Sequence, residues 1–227
     1  FAIEKEQLPN ILTKEMPEFS PEYFIKQCSG QYVDEVTNIM LPRGGFVNPQ
    51  NYRMFNNTPV EYLCENAGFF GPCVNQHPML LREMKQQIDD YLTPKINNCF
   101  NELKKEIEKR NGQAIIIGDA DVEVKLGEDK IFLDIKQEMT IIEKNQTRTF
   151  QEFNIDITNS AYNLAIIAME IAAQEADYCY FEYVGYSLLY PRYKIIPYEM
   201  SEPTKIYQII DKRTQKAMNI AIRSCAI

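Results

Sequence analysis

Six cysteines in 227 residues, beside a single histidine, constrain this chain more than any other feature. Their spacings match neither a Cys-x-x-Cys redox motif nor the paired Cys and His steps of a zinc site. An even cysteine number outside such motifs predicts structural disulfides, and therefore an oxidising, extracytoplasmic compartment. Cys64 and Cys73 flank Gly68-Phe69-Phe70-Gly71-Pro72. A bond between them closes a ring of about ten residues, worth about 2.5–3 kcal/mol in chain entropy.

Acidic residues outnumber basic ones by 32 to 24, a net charge of −8. An acidic surface repels phosphate, so no nucleic-acid partner is expected, and adhesion to anionic lipid headgroups is disfavoured too. Hydrophobic residues at 45% and charged residues at 25% suit a packed core that needs no cofactor or metal to form. The most apolar run, Ala161 to Ala173, is too short to span a bilayer and contains Glu170. Phe1 in place of an initiator Met is read as the trace of an upstream segment that has been removed. Asn56-Asn57-Thr58 and Asn145-Gln146-Thr147 are sequons, which makes Asn56 and Asn145 candidate glycosylation sites.

Residues 1–19 mix charge and proline without a sustained period and read as a linker or arm; residues 20–227 read as one domain. Ser20-Pro21-Glu22 is a helix start, with a capping hydroxyl, a preset φ and an acid at the positive end. Pro42-Arg43-Gly44-Gly45 stops that helix. Residues 46–78 are rich in Asn, Pro and Gly and read as a long loop with Phe69 and Phe70 at its tip, a candidate contact surface or the loop's own small core. A helical stripe runs from Met79 to Arg110, with a kink or break expected at Thr93-Pro94. Val122, Val124 and Leu126 alternate with Asp121, Glu123 and Lys125; Gly127-Glu128-Asp129 turns the chain, and Ile131, Leu133 and Ile135 return it as a hairpin. Phe153–Ile157 adds a strand. Thr158-Asn159-Ser160 then opens a helix whose apolar residues, Ile166 among them, almost encircle it, the mark of a central core helix. Strand-like runs follow at Tyr193–Ile196, Lys205–Ile210 and Ala217–Arg223. The order predicts an α+β fold: N-terminal helices and an antiparallel β-sheet packed on a central core helix, stapled by disulfides.

No catalytic signature is present: no nucleophile elbow, phosphate loop or dinucleotide fingerprint. Asp119, Asp121 and Glu123 lack the spacing and glycine of a calcium loop and read as the solvated face of a strand, and Asp89-Asp90 as a solvated helix face. His77 could pair with Cys73 only if Cys73 were not bridged. Seven of the 14 tyrosines fall between Tyr178 and Tyr198, dense enough to form either a binding surface or a half-buried aromatic layer. Tyr183, Tyr186, Tyr190 and Tyr193 are its candidate contact residues.

Three blocks carry a resemblance: FIKQCSGQYVDEVTNIMLPRGGFVNP, IDDYLTPKINNCFNELKKEIEKRNG and VEVKLGEDKIFLDIKQEMTIIEKNQTRTFQEFNIDI. Together they resemble an uncharacterised family of membrane-anchored extracytoplasmic proteins from small-genome (DPANN-type) archaea, over roughly Pro21 to Ile157. Pro42-Arg43 and Glu138-Met139 depart from that pattern. The resemblance implies one membrane helix ahead of the domain as its only membrane contact, and it implies no activity.

With Cys64–Cys73 set aside, Cys28, Cys99, Cys179 and Cys225 allow three pairings. Cys28 and Cys99 lie on the apolar stripes of two helices, and stripe-to-stripe packing brings such positions within disulfide reach. Both also fall in the blocks that carry the resemblance. Cys179–Cys225 then follows by elimination. The expectation is a non-enzymatic cell-surface domain with a structural or adhesive role, meeting a protein or glycan or assembling with itself. The alternative is a sensor or ligand-binding domain using Tyr178–Tyr198.

Overall fold

The structure is a computed structural model and describes residues 19–66, 68, 71–143 and 146–225. The expected arm (residues 1–18 of it), Phe69, Phe70 and Asn145 lie outside the described residues.

Helix α1 (Pro21–Met40) starts as its cap predicts: the Tyr23 N–H donates to Ser20 Oγ at 3.2 Å. Ile25, Cys28, Val33, Val36 and Met40 form its buried stripe. A short 3-10 turn (Leu41–Arg43) and Gly44 (φ 80°) end it. A side chain at Gly44 would also bring its Cβ to 2.9 Å from the Glu61 Cβ, so both the conformation and the close approach require glycine.

Helix α2 (Leu80–Lys109) runs unbroken through Pro94, contrary to the expected break. Its stripe continues on both sides of the proline as Leu80, Met84, Ile88, Leu92, Ile96, Phe100, Leu103 and Ile107. Each buried apolar side chain contributes about 1.5–3 kcal/mol, so together they outweigh the roughly 3 kcal/mol that an internal proline costs. Local side chains bond to nearby carbonyls as well: Thr93 Oγ1 donates to Asp89 O at 2.9 Å and Asn97 Nδ2 to Thr93 O at 3.2 Å. The α1 and α2 stripes face each other, and Cys28–Cys99 bridges them with a Cα separation of 5.9 Å.

Strands β4 (Gln113–Gly127), β5 (Lys130–Glu143) and β6 (Gln146–Thr158) form an antiparallel meander. Glu128-Asp129 makes the β4–β5 turn, Asp129 at φ 60°. Asp121 and Glu123 face solvent, as expected of a solvated face. Asp89 does not behave as a merely solvated residue: its Oδ1 accepts the Val124 N–H at 2.9 Å, and Asn97 Oδ1 accepts the Ala120 N–H at 2.8 Å. Two α2 side chains thus occupy edge donors of β4 that would otherwise be open to another strand.

The second sheet overturns the long loop expected at 46–78. That stretch contains β1 (Tyr52–Phe55), β2 (Thr58–Glu65) and β3 (Val74–Asn75). Asn56 and Asn57 both sit in the left-handed region (φ 47° and 61°), the geometry of a two-residue hairpin turn that asparagine tolerates. Sheet order is β1-β2-β9-β8-β7, with β3 also on β2; β7 is Tyr193–Glu199, β8 Thr204–Asp211 and β9 Ala217–Arg223. All pairs are antiparallel except β2 with β9, which are parallel. Cys64–Cys73 fastens the end of β2 beside β3.

Helix α3 (Ala161–Tyr178) packs against strands of both sheets through Leu164, Ala165, Ala168, Ile171 and Ala172. It is the central helix the sequence implies, but it is not buried all round: Ile166 is 39% exposed. A seven-residue helix, α4 (Tyr183–Leu189), folds back from it and contains no fully buried residue. No described helix is long and apolar enough to cross a membrane. All six cysteines are paired, which fits an oxidising, extracytoplasmic environment.

Candidate functional site

The apolar face of α3 ends in a carboxylate. Glu175 is fully buried, on the side of the helix that otherwise carries Leu164, Ala168 and Ile171. Its charge is met from β8. Lys205 Nζ donates to Glu175 Oε1 at 2.8 Å and to Oε2 at 3.1 Å, and to the Cys179 carbonyl at 3.0 Å. Those three bonds use all three ammonium protons. The Tyr207 hydroxyl, on the same face of β8, donates to Glu175 Oε1. Burial pushes the Tyr207 phenol well above its usual range, and the bond to Glu175 adds to the shift.

Cys179 stops α3 in a left-handed conformation (φ 57°), its N–H donating to Glu175 O at 3.1 Å. The Cys179–Cys225 bond ties this point to the end of β9, with a Cα separation of 5.5 Å. Ser224 Oγ adds a bond to the Glu175 carbonyl at 3.2 Å.

A cavity of about 520 Å³ opens beside this knot, between the α3–α4 corner and the far end of β7 and β8. Tyr180 and Tyr183 form one wall, Pro197, Met200 and Pro203 the other, and Lys205 and Tyr207 line it beside Cys225. Cross-strand pairing puts Pro197 opposite Tyr207 and Glu199 opposite Lys205. Pro197 can occupy β7 because that strand is a sheet edge. At the mouth, the Tyr180 hydroxyl donates to Glu182 Oε2 at 2.8 Å, and Glu182 Oε1 accepts the Gly185 N–H at 3.1 Å. The Gly185 bond first, then Tyr180, holds the Glu182 carboxyl below its ordinary value. Glu199 is exposed on the cavity rim, and no cation among the described residues comes within ion-pair distance of it.

The candidate tyrosines do not form one surface. Tyr183 lines the cavity. Tyr186 is half-buried against Phe181 and Tyr190, with ring centroids at 5.5 and 4.7 Å. Tyr193 is half-buried beneath the Arg192 guanidinium, 5.0 Å from its ring. Tyr190 is about half exposed. Glu175, Lys205 and Tyr207 were missed, although Glu175 left a readable signal as an acid in phase with an apolar stripe.

Cys73 is bridged, so no Cys–His pair exists. His77 sits instead between two carboxylates, its Nδ1 2.6 Å from Glu83 and its Nε2 3.6 Å from Glu61. Glu61 accepts the backbone N–H groups of Gln50 at 2.6 Å and Asn51 at 3.0 Å, so this cluster pins a connection. Asn56 is exposed on its hairpin turn. Among the described residues, no group of three or more His, Cys, Asp or Glu side chains is arranged to hold a metal ion. Compared with protein-family models, curated proteins and solved structures, the chain finds no match in any of the three.

Proposed function

We propose that this chain is an extracytoplasmic recognition domain that acts by binding rather than by catalysis, with the tyrosine-walled cavity as its site. The observation that carries this reading is the cavity itself. At about 520 Å³ it lies within the size range of small-molecule sites, and its lining is more apolar than polar, with tyrosine rings, Pro197, Met200 and Pro203 set beside Glu199, Thr204 and Lys205. The resemblance to membrane-anchored extracytoplasmic proteins supports display from a membrane by a segment ahead of the domain.

Crystals soaked in small organic probes test the proposal. Probe density clustered between Tyr183 and Pro197 supports it; an empty cavity with probes bound elsewhere overturns it.

A second reading, as a protein-contact domain at the cell surface, draws on α4. Leu188 and Leu189 are each 77% exposed, and Val184, one turn before Leu188, and Tyr190, next to Leu189, are exposed with them. Single exposed leucines are ordinary, but a cluster this dense marks contact surfaces. Glu182, which caps α4, and Glu170, which meets Tyr186, are exposed and suit a partner bearing Lys or Arg. Probes collecting on Leu188 and Leu189 instead of in the cavity favour this reading.

A further inference from the structure

We infer that the cavity selects a small alkylated ammonium cation, the chemistry of a quaternary or methylated amine; this rests on the cavity being a binding site. The first argument is what the cavity withholds. An anion needs free donors, and the ammonium and two of the three tyrosine hydroxyls here are committed. All three protons of Lys205 go to Glu175 and Cys179, the Tyr207 hydroxyl donates to Glu175, and the Tyr180 hydroxyl donates to Glu182. Lys205 with Glu175 is a neutral pair, so the floor presents no net positive charge.

The second argument is what the cavity offers. Tyr180 and Tyr183 line it from the α3–α4 corner with accessible rings, over a floor that includes the buried Tyr207 of β8. Aromatic rings attract cations through their quadrupole, and rings converging on one volume are the recurring solution for quaternary ammonium groups. Glu199 lines the same cavity and has no cationic partner among the described residues, while Glu182 stands at the mouth beside Tyr180. Both favour a positive guest.

The third argument separates one cation from another. A bare ammonium is strongly hydrated and needs hydrogen-bond acceptors to replace its water. Apart from Glu199 on the rim, the wall of Pro197, Met200 and Pro203 offers apolar contact in their place. Methyl groups on nitrogen spread the charge and satisfy that wall.

Titration followed by NMR chemical-shift mapping, on the disulfide-intact protein, tests this with three probes: choline, its neutral analogue carrying carbon in place of the quaternary nitrogen, and acetate. Choline is expected to bind about tenfold more tightly than the neutral analogue, with acetate not binding. Glu199→Gln, at an exposed position, is expected to weaken choline several-fold and leave the neutral analogue unchanged. Tyr183→Leu should weaken choline more than the analogue. Equal binding of choline and its analogue overturns the cation inference while leaving the binding site standing. Choline binding that neither substitution alters places the site elsewhere and also overturns it. No binding of either probe at tens of millimolar removes both the inference and the site.

Discussion

Truncating Glu175 should be among the most damaging single changes in this protein, and the way the damage can be repaired identifies its cause. Glu175→Ala strips two of the three acceptors from Lys205, whose side chain is only 17% exposed, and removes the acceptor of the buried Tyr207 hydroxyl. Breaking a buried pair from one side costs about 3–5 kcal/mol, and an orphaned buried hydroxyl about 1–3 kcal/mol. The two losses share an atom and do not simply add, so about 4–6 kcal/mol is expected. For a domain of this size that is roughly 10–20 °C in melting temperature. Lys205→Met leaves the buried carboxylate with Tyr207 and should cost about 3 kcal/mol. Glu175→Leu with Lys205→Met removes both charges, which is often close to neutral, but still leaves the Tyr207 hydroxyl without its acceptor, so the pair together should lie within about 3 kcal/mol of the parent and above Glu175→Ala alone in stability. Urea unfolding with the disulfides intact measures all three. A Glu175→Ala loss below about 1 kcal/mol, or losses that add in the double variant, would refute the reasoning.

Two further outcomes follow from burial and charge. Ile171→Asp, at a position with no exposure, should unfold the domain or cost more than about 4 kcal/mol, whereas Ile166→Asp, at 39% exposure, should stay within about 1 kcal/mol of the parent; equal thermal melts for the two would show the face of α3 to be wrongly assigned. The Arg192 guanidinium donates to both Asp129 and Asp211. Its bonds hold Asp129 below the usual carboxylate range, and hold Asp211 there against the upward push of burial. A carboxyl depressed on folding contributes stability that is present above its unfolded value, about 3.9, and is lost as pH falls through the lower folded value. Asp211→Asn should therefore flatten the fall in urea midpoint below about pH 4, and an unchanged acid slope would exclude Asp211 as a source of it.

Features governed by neighbours in sequence could be read in advance. Ser20-Pro21-Glu22 caps α1 because capping needs only adjacent residues, and the β4–β5 hairpin declares itself through strict alternation around a two-residue turn. The helix-to-helix bridge Cys28–Cys99 followed from two stripes, each visible alone. Local composition misled at residues 46–78: Asn, Pro and Gly suggested a loop, yet Asn56-Asn57 is the hairpin turn itself, and β2 gains its burial from β9, more than 150 residues later. Pro94 carried a real local penalty that the long buried stripe of α2 overrides. The tyrosine cluster pointed to the right region but not to the right residues. Tyr183 and Tyr186 differ by one helical turn in sequence, yet one lines the cavity while the other packs against Phe181. The floor residues Lys205 and Tyr207 come from a separate strand whose link to Glu175 spans about thirty residues of chain.

Helix α4, which carries Tyr183 of the cavity wall, is flanked by two clamps, and this bears on how the cavity would bind. At one end Cys179–Cys225 and the Lys205–Glu175 pair fix the close of α3 to β8 and β9. At the other, Arg192 joins the β4–β5 turn at Asp129 to the end of β8 at Asp211, just beyond the point where α4 returns to β7. Between them α4 has no fully buried residue and depends on these flanking ties and on the half-buried Tyr183 and Tyr186 for its position. The wall bearing Tyr207 is therefore set by the core, whereas the wall bearing Tyr183 rests on a short helix with no fully buried residue and so on lower local stability. A guest would meet a preorganised floor and an adjustable outer wall. That division keeps the ordering cost of binding low, because only a short helix has to settle around the ligand.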